Sequence, residues 1–184
     1  SDSRAEITGN KFGNDCSPDH GECVMAVFNS RINVNSEAYA KNRREMLALV
    51  DKLQELNARG AMISEKRKSR FDARGQLTPR ERLARLLDPG MPFLTVGNLA
   101  GYLVDTSDPD KSIAGSTIIS GIGFISGVRC MVVVDDSGIQ AGTLTTAGGY
   151  RERRCEEIAL EQKLPFVHLV ESAGGDLLNY TVEG

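Results

Sequence analysis

The sequence predicts an α/β fold, and three observations carry that reading. Thr117–Ile122 and Val128–Val134 are β-branched runs separated by glycines, the pattern of successive strands. A helical pattern runs from about Tyr150 to Lys163, with Cys155, Ile158 and Ala159 on its apolar face. Phe166-Val167-His168-Leu169-Val170 then supplies a short apolar strand. Strand, helix and strand in that order suggest a right-handed crossover unit.

Taken from the beginning, residues 1–35 are rich in Gly, Asn, Asp and Ser, with one apolar patch from Val24 to Phe28. They read as an irregular arm lying on something else. Met46, Leu47, Val50, Leu53 and Leu56 recur at helical spacing, with charged residues between them, so an amphipathic helix ending near Gly60 is expected. Residues 66–85 carry Lys66, Arg67, Lys68, Arg70, Arg74, Arg80, Arg82 and Arg85 against only Asp72 and Glu81. Such a run is either a solvated helix face or a seat for phosphates, which the forked guanidinium holds well. Thr78-Pro79-Arg80-Glu81 is a helix start, with Thr78 as cap, Pro79 in the first turn and Glu81 reaching back in a capping box. Leu83, Leu86 and Leu87 form its apolar stripe, and Asp88-Pro89-Gly90 stops it. Gly121, Gly123 and Gly127 punctuate the strands, so a tightly twisted or bulged sheet is expected. The chain divides accordingly into an arm (1–35), a helical lead-in (36–90) and an α/β part (91–184).

Composition excludes several classes. The 184 residues hold 22 Lys plus Arg against 25 Asp plus Glu, and a net charge of −3 does not suit a general nucleic-acid binder. No apolar run approaches the roughly 20 residues needed to cross a bilayer. The first thirty residues lack the plan of a secretory signal, so a reduced intracellular compartment is the default: cytoplasmic, or the mitochondrial matrix in a eukaryote. Cys130 and Cys155 sit in apolar patterns and behave as small hydrophobes. Cys16, His20 and Cys23 lack a fourth ligand and match no zinc spacing.

A search for side-chain catalysis returns little. His168 lies mid-strand among apolar residues, the setting of a packed or hydrogen-bonded histidine. No nucleophile elbow or complete phosphate loop is present, and Gly121-Ile122-Gly123 precedes no helix. The chain offers backbone instead. Ser172-Ala173-Gly174-Gly175 follows a strand end, where small residues let a ligand approach exposed N–H groups that could stabilise an oxyanion. Ala141-Gly142 and Gly148-Gly149 form a second small-residue stretch.

The order of motifs says more than any one of them. Asn33–Val50, Arg74-Gly75-Gln76-Leu77-Thr78-Pro79-Arg80-Glu81-Arg82, Leu86-Leu87-Asp88-Pro89-Gly90 and Pro92-Phe93-Leu94 come first. Gly121-Ile122-Gly123, Asp135-Asp136-Ser137, Ala141-Gly142-Thr143, Leu164-Pro165 and Val170-Glu171-Ser172-Ala173-Gly174-Gly175 follow. Together they resemble the carboxyltransferase (β) subunit of biotin-dependent acyl-CoA carboxylases, over about residues 33–184. The lead-in is most similar to the methylcrotonoyl-CoA and geranyl-CoA carboxylase branch.

That resemblance implies a crotonase-type fold of stacked strand-strand-helix turns, of which this chain holds an incomplete first domain, the part that binds acyl-CoA. It implies an oligomer of carboxyltransferase subunits, a biotin carboxylase, and biotin carried on a partner subunit. It implies a reaction in which the biotin ureido nitrogen takes the substrate proton, so that the protein supplies only oxyanion donors and a dry pocket. The family's Ser-Gly-Gly-Ala loop falls on Ser172, Ala173, Gly174 and Gly175, making Ala173, Gly174 and Gly175 the candidate catalytic residues. Ala173 replaces a glycine, which matters only if that position needs a positive φ. Gln140 stands where family members often carry Lys. A branched enoyl-CoA is the expected acyl group, and the chain by itself is expected to be inactive. Two alternatives stand beside this reading: a crotonase-type hydratase or isomerase, for which Glu171, immediately before the loop, is the candidate carboxylate, and a non-catalytic CoA-binding or assembly fragment.

Overall fold

The computed structural model describes residues 30–176. The apolar patch Val24–Phe28 and the Cys16-His20-Cys23 group lie outside them. The chain divides into two compact units, Ser1–Leu47 and Ala48–Gly184. In the first, Ser36 caps helix α1 (Glu37–Glu65), its Oγ accepting from Tyr39 N at 3.2 Å.

Helix α1 is longer than expected, and Gly60 lies inside it. Gly60 is buried, and a Cβ there would sit 3.6 Å from both Ile113 and Ile139, so the residue serves close packing of a helix face rather than a stop. Of the five residues in the expected apolar stripe only Leu56 is buried, and Met46 is 60% exposed. Farther on, the short helix α2 (Lys68–Asp72) buries Phe71.

Helix α3 (Pro79–Leu86) starts as its sequence requires. Thr78 Oγ1 accepts from Glu81 N at 3.2 Å, and Glu81 Oε2 accepts from Thr78 N at 2.8 Å. The hydrogen bond from Lys68, followed by those from Thr78, lowers the Glu81 pKa to about 2. Thr78→Ala is expected to cost about 1 kcal/mol of stability, read as a few degrees in a thermal melt at neutral pH. Because the Glu81 pKa is lowered on folding, its share is complete above about 4.5 and fades as the pH falls towards 2. The melting difference between the wild type and Thr78→Ala should therefore shrink in acid.

The sheet has the order β1 (Leu94–Thr95), β2 (Ile118–Ile125), β3 (Val128–Asp135), β4 (Phe166–Leu169). β2 and β3 pair antiparallel through eight consecutive partners, from Ile118↔Asp135 to Ile125↔Val128. No bulge interrupts that register. Gly121 and Gly123 have another purpose: a Cβ on Gly121 would meet Phe93 Cζ at 2.6 Å, and one on Gly123 would meet Phe93 Cδ2 at 2.9 Å. They make room on β2 for the Phe93 ring, together with Leu94 O at Gly121 and Leu87 at Gly123. The hairpin turns through Ser126 and Gly127, both at positive φ, as a two-residue primed turn requires. The Asp88 carboxylate accepts from both of their N–H groups at 2.7 Å, so the Asp-Pro-Gly that ends α3 also holds this turn.

β3 is apolar without alternation because both of its faces are covered. Cys130, Val132 and Val134 pack with Leu83 of α3, whereas Met131 and Val133 pack with Cys155 and Ala159 of helix α4 (Thr146–Glu161). Met131 to Val134 are completely inaccessible. α4 begins four residues earlier than its apolar spacing suggested. Thr145 caps it through Gly148 N at 3.1 Å, and Asp105 Oδ1 accepts from Ala147 N at 3.0 Å, so Gly148 and Gly149 are helical rather than loop. β4 then pairs parallel to β3, from Met131↔Phe166 to Val134↔Leu169.

Candidate functional site

Because β3 and β4 are parallel neighbours, the segments that follow them leave the sheet at the same edge, where ligands of α/β folds gather. The two segments are stitched together. Ser172 Oγ donates to Gly142 O at 2.6 Å, Ala173 N to Ala141 O at 3.1 Å, and Leu144 N to Gly174 O at 2.9 Å. Gly142, at φ +68°, permits the approach, since a Cβ would lie 2.3 Å from Glu171 O. Beside them opens a groove of about 560 Å³, lined by Arg67, Arg70, Phe71 and Arg74. Ser137, Gly138, Gln140, Ala141 and Glu171-Ser172-Ala173 complete it. The basic stretch and the backbone loop therefore share one cavity.

The candidate donors differ in what their N–H groups do. Ala173 N–H is given to Ala141 O, and Gly174 N–H to Ser172 Oγ at 3.0 Å. Gly175 N–H has no partner among the described residues. The positive φ falls on Gly174 (+101°) and not on Ala173, so alanine fits where the resemblance leads one to expect glycine. On the facing segment Gln140 and Ala141 adopt φ of +47° and +55°, a left-handed turn that costs of order 1–3 kcal/mol per non-glycine residue. Their N–H groups also lack partners among the described residues. Sequence reasoning noted Ala141-Gly142 as small residues and Gln140 as a departure from the family's Lys, but not the left-handed turn, which no local pattern marks.

Glu171 is held rather than poised. It forms an ion pair with Arg82, accepts from Ser137 Oγ at 2.8 Å, and gives its N–H to Asp135 Oδ2 at 2.8 Å. Arg82 Nε is buried without a hydrogen-bond partner among the described residues. Burial moves the Arg82 guanidinium below its ordinary range, against the pull of Asp135 and Asp136. Asp136, 1% exposed, is pushed up by burial although Ser64 Oγ donates to it at 2.6 Å. Arg80 lies 4.0 Å from the same carboxylate. The Arg80-Glu81-Arg82 block thus supplies counter-charge to Asp135, Asp136 and Glu171, a role invisible to local patterning. His168 is tied at both nitrogens, 3.1 Å from Asp135 and 3.1 Å from Glu152, and does not line the groove. Among the described residues no group of three or more His, Cys, Asp or Glu could hold a metal, and no helix is long and apolar enough to cross a membrane.

A family model described as the carboxyl transferase domain matches residues 70–183. The chain belongs to that family. The carboxyl transferase chain is 36% identical to the probable biotin-dependent acyl-coenzyme A carboxylase beta2 subunit of Mycobacterium tuberculosis, over 82% of its own length and 28% of that protein. It is 33% identical to the probable mitochondrial methylcrotonoyl-CoA carboxylase beta chain of Drosophila melanogaster, over 82% and 26%. The solved beta subunit of P. aeruginosa geranyl-CoA carboxylase superposes with a TM-score of 0.76 at 44% identity, covering 85% of this chain and 29% of that one. The resemblance read from the motifs is borne out, including its methylcrotonoyl-CoA and geranyl-CoA branch. The chain spans less than a third of the length of these relatives.

Proposed function

We propose that this chain is the acyl-CoA-binding part of a carboxyltransferase, which moves a carboxyl group from biotin on a partner subunit to an acyl-CoA. The supporting observation is a groove with unused backbone donors and no available side-chain base. Its one carboxylate, Glu171, is engaged by Arg82 and Ser137. A carboxylate held by an ion pair and a hydrogen bond is not free to reach a substrate, which disfavours the hydratase alternative. Carboxylated biotin would supply both the transferred group and the base. The chain's own residues would bind the thioester and hold its developing oxyanion. The N–H groups of Gln140 and Ala141, which line the groove without partners among the described residues, suit that role, while Ala173 and Gly174 shape the loop through the bonds they already make, with Gly175 following them.

On this reading residues 91–184 are the partial first domain of a crotonase-type superhelix, with 36–90 as its helical lead-in and 1–35 as an arm. The chain works in an oligomer of carboxyltransferase subunits, with a biotin carboxylase and carrier, in the cytoplasm or, in a eukaryote, the mitochondrial matrix. Its acyl group is a branched enoyl-CoA, the class named in the methylcrotonoyl-CoA and geranyl-CoA relatives. The test uses the full chain with its biotin-bearing partner, ATP and labelled bicarbonate. Avidin-sensitive label on 3-methylcrotonyl-CoA or geranyl-CoA is the expected result. Hydration of an enoyl-CoA without biotin, and no label, would overturn the reading.

A further inference from the structure

We infer that His168 is a positioning residue for the Ser172–Gly175 loop, acting through the Asp135 carboxylate; this rests on the acyl-CoA reading above. The ring stands partly buried on β4, and both of its nitrogens face carboxylates. Nε2 lies 3.1 Å from Asp135 Oδ1 at the end of β3, and Nδ1 lies 3.1 Å from Glu152 Oε1 of α4. Carboxylates accept and do not donate, so each ring nitrogen is the donor. Phe166 on the same strand meets the ring edge-on, with 6.4 Å between centroids. Contacts on three sides fix the plane of the ring.

What the ring holds is Asp135. β3 and β4 pair as far as Val134↔Leu169, and beyond that point the Asp135 side chain takes over from the backbone ladder. Its Oδ2 accepts from Glu171 N at 2.8 Å, the bond that directs the chain out of the sheet and into Ser172. The two oxygens of a carboxylate share one rigid plane, so a donor on Oδ1 fixes the rotation that presents Oδ2 to Glu171. Asp135 is buried, and His168 is the one hydrogen-bond donor to Oδ1 among the described residues. Without that donor the buried oxygen would turn to find another, and Glu171 N would lose its anchor. The shift would not stop there. Ser172 Oγ donates to Gly142 O and accepts from Gly174 N, so the next residue ties together both segments that shape the groove. A simple tie between α4 and β4 would need only the bond to Glu152; the second nitrogen serves Asp135. His168 itself lies outside the groove, so its effect on a ligand must pass through Asp135.

The experiment is calorimetric titration of the full chain with 3-methylcrotonyl-pantetheine, comparing His168→Gln and His168→Asn with the wild type. The amide nitrogen of glutamine falls near the place of Nε2 and that of asparagine near the place of Nδ1, so only glutamine still reaches Asp135. His168→Asn should bind roughly 10-fold more weakly, the size of a lost hydrogen bond to a charged group, while His168→Gln stays within about 2-fold of the wild type. A purely structural role would lower the melting temperature of both variants without separating their affinities. Equal weakening in the two, or none in either, would therefore overturn the inference and leave the acyl-CoA reading standing; packing, or a donor from Arg82, would then hold Asp135. Should His168→Asn not fold, the wild type decides by NMR with isotopically labelled histidine. The Nε2 resonance of His168 should move on saturation with the thioester although the ring is outside the groove, and a stationary resonance would overturn the inference. A wild-type chain that binds no thioester would remove the acyl-CoA reading and this inference with it.

Discussion

Arg151→Met is expected to lower the melting temperature of the full chain by ~10–20 °C, the result of losing about 3–5 kcal/mol. Arg151 is 6% exposed and faces backbone rather than carboxylates. Its Nη1 donates to Gly115 O at 2.6 Å and Ile118 O at 2.7 Å, and its Nη2 and Nε donate to Val96 O at 2.8 and 3.2 Å. Burial lowers its pKa to about 10, which leaves it charged at neutral pH. Methionine fills similar space but strands the carbonyls of Gly115 and Ile118, each worth about 1–3 kcal/mol when buried without a donor, and leaves that of Val96 to Ser120 Oγ at 3.0 Å. The relief of removing a buried charge offsets only part of that. Arg151→Lys should fall between, because one ammonium cannot reach three carbonyls in a fixed fork. A drop below about 3 °C for the methionine variant would mean that other donors take over. The effect should extend to the groove, since Thr117, next to Ile118, holds Thr143 O at 2.8 Å and so steadies the segment carrying Gln140 and Ala141.

What was legible in the sequence is what local or periodic rules impose. Burial on both faces forces an unbroken apolar run, so Val128–Val134 announced a strand that the structure ends at Asp135. A capping box is a four-residue code, and Thr78 to Glu81 obey it. The start of α4 was missed because its first turn contains Gly148-Gly149, and propensity there gives way to the Thr145 cap and the Asp105 carboxylate from 42 residues away. Gly121 and Gly123 suggested a bulge because a missing side chain is ambiguous: it can mark an extra residue or make room for an aromatic ring, and Phe93 fills that room. Arg151 gave no signal at all, since a guanidinium that serves backbone carbonyls leaves neither a period nor a motif. The candidate site was half visible. Small residues after a strand marked the Ser172–Gly175 loop, but which of its N–H groups are already used depends on Ala141 and Ser172. Only the parallel pairing of β3 with β4 brings the two segments together.

Arg82→Gln should be the second large effect, with a pH dependence that separates charge from packing. Arg82 supplies counter-charge to Glu171, Asp135 and Asp136, and both partners of the ion pair are less than a third exposed. Removing one member of such a cluster costs about 3 kcal/mol, chiefly by leaving carboxylates uncompensated. In a cycle with Glu171→Gln, the double variant should recover about 1–2 kcal/mol, a coupling of the size seen between groups in contact. Asp136 sets the sign of the pH effect. Its pKa is already raised by burial, and loss of Arg82 raises it further. A carboxyl raised on folding contributes stability below its unfolded pKa and loses it as the pH climbs through its folded value. Arg82→Gln should therefore melt closer to the wild type near pH 4 than at pH 8. If the gap were the same at both, Arg82 would act through packing alone. Because Glu171 immediately precedes Ser172, the variant should also weaken the binding of an acyl-pantetheine, read by calorimetric titration; unchanged binding would mean that the Arg82–Glu171 pair does not shape the loop.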